Sequence, residues 1–340
     1  MTIRRFIISF VLLLTICFGA YAEQGEGCVV VGAERLPEYI HLLEGRRVGV
    51  LANHTSRIGG RHLVDTLLAS GVDVKLIFAP ERGFRGDGVE RHRDSYLGIE
   101  ILTLRNSPRA NDVYRCDVIV CDLQDVGIRT SSPLRALVRL MGVCADIGVP
   151  LLILDRPNPN GMYVDGAIVE RQYRTSEDVL PLPLVHGMTL GELARMINGQ
   201  GWLARGVKCP LTIVPCIDYQ RTMHYELPVA PVPNLSTPAD VALLPTRSLL
   251  EAFGVVPERG ERSWESVVAE KIDLQLVLLA WQSMVDKSQV DWALFDSVVG
   301  AGYVRDMIEM DYTASEIESM WSGDVERFLA RREEYLIYED

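Results

Sequence analysis

Three short runs, VKLIF at residues 74–78, DVIVC at 117–121 and PLLIL at 150–154, constrain this chain most. They are rich in β-favouring apolar residues, and each stops abruptly at proline or charged residues. A strand with one wet face alternates apolar and polar side chains. A strand that does not alternate must be covered on both faces, as in a parallel sheet with helices on either side. RVGVLAN at 47–53 supplies an earlier strand and residues 99–104 a weaker one. Helical spacing fills the gaps: Leu63, Leu67 and Leu68 within 62–70, and Leu137, Leu140, Met141 and Cys144 within 133–147. Strand, helix and strand joined by short links form a right-handed parallel unit. The pattern predicts an α/β chain: a Rossmann-like, doubly wound, mainly parallel sheet over residues 23–203, after a lead-in with a short helix at 36–43. Past Gly201 the pattern changes. A strand at 211–216, a proline-rich stretch at 227–238 and helices at 274–285, 314–321 and 325–336 predict a smaller α+β domain over 204–340.

Parallel strands deliver their carboxyl ends to one edge, and open α/β sheets bind ligands there. The polar groups beyond those ends are Asn53; Glu81, within APERGFRG at 79–86; Asp122, Gln124 and Asp125; and Asp155, Arg156 and Asn158. Arg129, His186 and Glu192 join from later segments. Several carboxylates in one partly dry cleft cannot all ionise freely, so such a cleft can hold a proton donor near neutral pH. Carboxylates, amides and arginines together suit glycoside hydrolysis better than phosphate chemistry. Glu81 is the expected general acid/base, with Asp122, Asp125 or Asp155 as partner and the amides and arginines binding substrate. The competing reading is a structural network of helix caps and ion pairs, in which Asp122 or Asp125 is an N-cap.

Other classes are disfavoured. The segment after the first strand, LANHTSRIGG, lacks the GxGxxG that lets backbone approach a pyrophosphate, so no nicotinamide or flavin cofactor is expected. A formal net charge of −12 argues against nucleic acid. No spacing marks a metal site. Arg4 and Arg5, an apolar run over 6–18 and the small-residue pattern at 20–22 read as an export signal over residues 1–22. That run is too short for a membrane span, no later segment is long enough, and Ile16 weakens any lipoprotein reading of LTIC at 14–17. The expectation is an exported protein, periplasmic or extracellular. Six cysteines follow residue 22, too few for a disulfide scaffold. Cys116 and Cys121, at odd separation along one strand, point to opposite faces.

The motifs ANHTS at 52–56, APERGFRG at 79–86, DLQDVGIR at 122–129, LDRPNPNG at 154–161 with VDG at 164–166, HGMTLGELA at 186–194 and PN at 233–234 occur in an order that resembles the NamZ-type exo-β-N-acetylmuramidases, long described only as a domain of unknown function. The resemblance implies a Rossmann-like domain and a smaller domain with a cleft between them. It also implies removal of terminal β-N-acetylmuramic acid from peptidoglycan fragments, with the glutamate of the family's PEHG motif at Glu81. Asn53, Asp122, Gln124, Arg129, Asp155, Asn158, His186 and Asn234 fall on other motif positions, implying substrate positioning or cleft structure. An arginine such as Arg129 would then pair with the lactyl carboxylate of muramic acid. Departures are concentrated at motifs: Arg82 replaces a histidine, Ser131, Ser132 and Pro133 replace an aromatic segment, Val232 replaces a serine, and Glu258 to Glu261 replaces GRGT. The chain after Asp273 is also shortened. A permanent cation at position 82 beside a general acid opposes proton donation. The alternative expectation is therefore a catalytically impaired member that binds cell-wall sugars.

Overall fold

The strand Arg47–Ala52 (β1) is buried along all but its first residue and lies in the middle of a six-stranded sheet. The other strands are Asp73–Ala79 (β2), Glu100–Thr103 (β3), Val118–Asp122 (β4), Leu151–Leu154 (β5) and Leu211–Val214 (β6). Their order is β3-β2-β1-β4-β5-β6 and every pairing is parallel. The direction of winding therefore reverses between β1 and β4, the place where open α/β folds carry their ligands. This computed structural model describes residues 29–339 except 88, 90, 175, 177–179, 233–234 and 256–270. The expected export signal, Cys28, Asn234 and the segment 258–261 lie outside the described residues.

Side chains alternate across each strand, and the alternation sorts them into two cores. Leu51, Phe78, Ile119, Cys121, Leu151 and Ile153 face the helices Ser132–Ile147 and Leu190–Gln200. Val48, Val50, Ile77, Val120 and Leu152 face the opposite way, toward the helix Leu63–Ala69 and the lead-in residues Tyr39 and Leu43. In chain order these helices are α1 (Leu63–Ala69), α2 (Ser132–Ile147) and α3 (Leu190–Gln200). Both faces are dry, as the unalternating strands require. Ser131 caps α2 by accepting from the Leu134 amide, and Gly148 ends it in the left-handed region at φ 74°. Thr189 and Glu192 form a reciprocal capping box on α3.

β6 lies beyond residue 203, so the sheet-bearing lobe runs past the expected boundary. The strand that suggested a β component for the second domain is the edge strand of the first. Among the described residues the regular structure after β6 is helical, and beyond a short helix at Pro238–Ala242 it comprises chiefly α4 (Leu244–Leu250), α5 (Leu274–Ser283), α6 (Trp292–Val299), α7 (Gly302–Glu309) and α8 (Ala314–Arg332). Their core includes Phe253, Trp281, Trp292 and Phe295, packed mostly edge to face with ring centroids 5.4–5.8 Å apart. Helix α8 is continuous where the sequence suggests a break.

Among the contacts that tie the lobes together, two lie away from the cavity. Asp165 accepts from Trp321 Nε1 of α8 at 2.9 Å and from the Ile272 amide at 2.7 Å, and burial pushes its carboxyl above the usual range. After α8 the chain returns to the first lobe. The amides of Ile337 and Tyr338 donate to Glu192, and the Glu339 carbonyl accepts from the Arg221 amide. The five described cysteines, Cys116, Cys121, Cys144, Cys209 and Cys216, are buried free thiols. No helix among the described residues is long and apolar enough to cross a membrane.

Candidate active site

A cavity of about 510 Å³ opens above the carboxyl ends of β1, β2 and β4. Its floor and near wall come from Asn53, Glu81, Gln124 and residues 130–133, and its far side from Leu244, Ser248, Glu251, Leu294 and Ser297 of the helical lobe. Glu81 follows Pro80 at the end of β2, and its side chain is 32% exposed. Arg139 Nη1 donates to Glu81 Oε1 at 3.0 Å and to the Leu104 carbonyl at 2.7 Å. Arg135 Nη2 approaches Glu81 Oε2 at 3.4 Å. The cations on Glu81 are therefore Arg135 and Arg139, one helical turn apart on α2. Arg82, the cation expected beside Glu81, is an exposed part of the cavity rim.

The floor is built from turns whose side chains satisfy one another. Asn53 Oδ1 accepts from the Thr55 amide at 2.9 Å and its hydroxyl at 2.6 Å, shaping an Asx turn past β1. His62 accepts from the Val64 amide on Nδ1, so its Nε2 carries the proton and donates to the Asn53 carbonyl at 2.8 Å. Burial lowers the pKa of His62 and keeps this arrangement neutral. Gln124 lines the cavity, donating from Nε2 to the carbonyls of Asp125 and Pro157 while its Oε1 has no hydrogen-bond partner. Asp125 accepts from Ser131 Oγ at 2.5 Å and the Gly127 amide at 3.0 Å, with His186 Nε2 3.7 Å away. Gly127, at φ 79°, packs so tightly that a Cβ there would sit 2.3 Å from Asn158 Oδ1. Asn158 itself donates to the Met188 carbonyl and accepts from the Asn160 amide.

Seven of the expected site residues do not line the cavity: Asp125, Asn158 and His186 belong to the turns of the floor without reaching its surface, and Asp122, Asp155, Arg156 and Arg129 are committed to buried partners. Asp122 is fully buried under the cavity and accepts from the Nε–Nη2 edge of the Arg156 guanidinium, at 2.5 and 3.0 Å, while Arg156 Nη2 also donates to the Arg57 carbonyl. Asp155, equally buried, accepts from Thr189 Oγ1 at 2.6 Å, the Gly191 amide at 2.9 Å and the Tyr338 hydroxyl at 2.8 Å. Burial and the nearby Glu192 charge push the Asp155 carboxyl up to about 6 against those donors.

Arg129 cannot meet a lactyl carboxylate in this arrangement. Its guanidinium is buried and spent on four carbonyls, those of Ala167 and Leu182 at 3.0 and 2.5 Å and of Val298 and Val299 at 2.6 and 3.0 Å. The last two are orphan carbonyls at the end of α6, so Arg129 caps that helix and pins the lobes together. Burial, and secondarily Arg174, push its pKa down to about 9, which leaves it charged at neutral pH.

The structure adds Arg135, Arg139 and Glu251, which the strand-end argument omits because they lie on helices. The i, i+4 spacing of the two arginines in LRALVR was the available signal. Among the described residues, Glu81 and Glu251 are the carboxylates on the cavity wall, and no group of three or more His, Cys, Asp or Glu is placed to hold a metal.

The model of the exo-β-N-acetylmuramidase NamZ N-terminal domain matches residues 48–239, and that of its C-terminal domain matches residues 263–338. A peptidoglycan β-N-acetylmuramidase NamZ of Bacillus subtilis is 32% identical over 247 residues, 66% of this chain and 57% of the relative's length. Thus the match spans little more than half of that curated relative. A crystal structure of a DUF1343 family protein from Bacteroides fragilis superposes with a TM-score of 0.83 at 35% identity, covering 92% of this chain and 100% of the other. A second DUF1343 structure from the same organism shares the fold, with a TM-score of 0.80 at 22% identity over 92% of this chain and 99% of the other.

Proposed function

We infer that this chain, which belongs to the NamZ exo-β-N-acetylmuramidase family, removes terminal β-N-acetylmuramic acid from peptidoglycan fragments in the cavity at its switch point. One observation carries the reading: Glu81, in the APERG segment, is a partly exposed carboxylate on the wall of a cavity large enough for a sugar. In this scheme Glu81 protonates the departing glycosidic oxygen, and on a retaining route it then serves as base for the attacking water. Glu251, across the cavity, is the candidate second carboxylate, and its separation from Glu81 with sugar bound would set retention or inversion. Asp122 and Asp155 then act indirectly, by holding the loops that bear Gln124 and Asn158. Gln124, whose Oε1 is buried without a partner, can present that acceptor to a sugar hydroxyl or acetamido N–H only by turning its side chain into the cavity. Asn234 keeps its proposed substrate role from its motif position. We further propose export to the periplasm or exterior, supported by the N-terminal signal pattern.

A second reading, a cell-wall sugar-binding protein without turnover, is favoured by the two guanidiniums on Glu81: an acid so engaged must break a pair before it can act. The test is release of chromophore from a β-N-acetylmuramide by wild type and Glu81→Gln. Release by wild type alone supports the hydrolase. Binding of the sugar without release, unaltered by the substitution, moves the reading to the binding protein.

A further inference from the structure

We propose that Arg135 reads the lactyl carboxylate that distinguishes N-acetylmuramic acid from N-acetylglucosamine. The assignment rests on the muramidase reading of the same cavity and adds the group that sets its sugar preference. With Arg129 committed to carbonyls, the cavity wall offers Arg82, exposed at the rim, and Arg135, whose side chain is 34% exposed. Arginine grips a carboxylate bidentately, one such edge being Nε with Nη2. On Arg135 that edge is under-used: Nε is buried without a hydrogen-bond partner, and Nη2 makes only the 3.4 Å approach to Glu81. Arg139 differs in each respect, being 13% exposed and fixed between Glu81 and the Leu104 carbonyl.

The geometry gives the pairing a consequence for the reaction. A lactyl carboxylate that draws the Nε–Nη2 edge of Arg135 away leaves Glu81 held through Oε1 by Arg139, with Oε2 released toward the glycosidic oxygen. A sugar without the lactyl group leaves Arg135 on Glu81. The arginines also reverse locally the repulsion that a chain of net charge −12 presents to an anionic sugar.

The test is calorimetric binding of N-acetylmuramic acid, its lactyl methyl ester and N-acetylglucosamine to the whole protein, as wild type, Arg135→Met and Arg135→Lys. The ester keeps the lactyl bulk and removes its charge. Wild type should prefer the acid over both neutral sugars by about ten- to a hundredfold, the range of a charge-assisted bidentate contact. Arg135→Met should collapse that preference toward one, and Arg135→Lys, which keeps the charge and loses the fork, should retain part of it. Should the Met variant not fold, the Lys variant decides: a full wild-type preference overturns the assignment. Undiminished preference in Arg135→Met, or a wild type that binds acid and ester equally, overturns the role of Arg135 alone. A wild type that binds none of the three overturns the muramidase reading as well.

Discussion

Asp155 offers a quantitative test of the buried network behind the cavity, through the substitution Asp155→Asn followed against pH. Its carboxyl is raised from an ordinary 3.8 to about 6, chiefly by burial and further by Glu192, while the donors Thr189, Gly191 and Tyr338 oppose the shift. A displacement of this size corresponds to roughly 3 kcal/mol, at about 1.4 kcal/mol per pH unit. For an acid whose pKa is higher in the folded state, folding takes up protons between the two values. The stability of the wild type therefore falls as pH rises from the unfolded pKa through the folded one, and below the unfolded pKa the cost vanishes. Asparagine carries no such term, although it forfeits hydrogen bonds by a constant amount. Urea unfolding of both proteins from about pH 4 to about pH 7 should thus show the variant gaining about 2–3 kcal/mol relative to wild type across that window, whatever its offset. Taking the difference between proteins cancels the other carboxylates, several of which are lowered by arginine partners and pull in the opposite direction. A flat difference, or one that moves against the variant as pH rises, would refute the account of a carboxyl dominated by burial.

Three further outcomes follow from the packing. Arg129→Met should lower stability by about 2–5 kcal/mol, because four buried carbonyls lose their donor and only part of that loss is offset by no longer burying a cation. Hydrogen exchange in α6 should rise with it, and an unchanged urea midpoint would remove Arg129 as the bolt between lobes. Gly127→Ala should cost more than about 2 kcal/mol, from left-handed strain and from collision with Asn158; a melting temperature equal to wild type would show that the floor yields easily. Arg156→Met should destabilise by about 3–5 kcal/mol by stranding the buried Asp122 carboxylate, and Asp122→Asn made in the same chain should restore part of it. A chemical denaturation double-mutant cycle reads that coupling, and additive losses would count against the pair.

Much of the sheet was legible because its strands are buried on both faces and bounded by prolines, glycines or polar clusters. The boundary at 203 was not, because β6 is an edge strand whose partly exposed burial pattern gives a weak signal and whose pairing with β5 is a tertiary fact. The eight-residue helices α6 and α7 were missed for a related reason: each is too short to show a clear period. At the site, topology correctly gathered Asn53, Glu81 and Gln124 at one edge. It could not say which side chains at that edge turn outward. Asp122, Asp155 and Arg129 turn inward because an ion pair, three donors and four carbonyls await them there, and nothing in the residue types distinguishes an acid bound for solvent from one bound for a buried partner. Arg135 escaped for the converse reason: it stands on a helix, and a search of the strand ends does not reach a helix face.

The return of the chain to Glu192, Arg221 and Asp155 after α8 has a consequence for how the protein is made. Synthesis is vectorial, so all six strands are made more than a hundred residues before Tyr338 exists to donate to Asp155. Until then the Asp155 carboxyl lacks one of its donors and Glu192 lacks the amides of Ile337 and Tyr338. A sheet formed before the returning segment is in place would stand with this seam open, and that is the state in which a chaperone, or a protease, would find it.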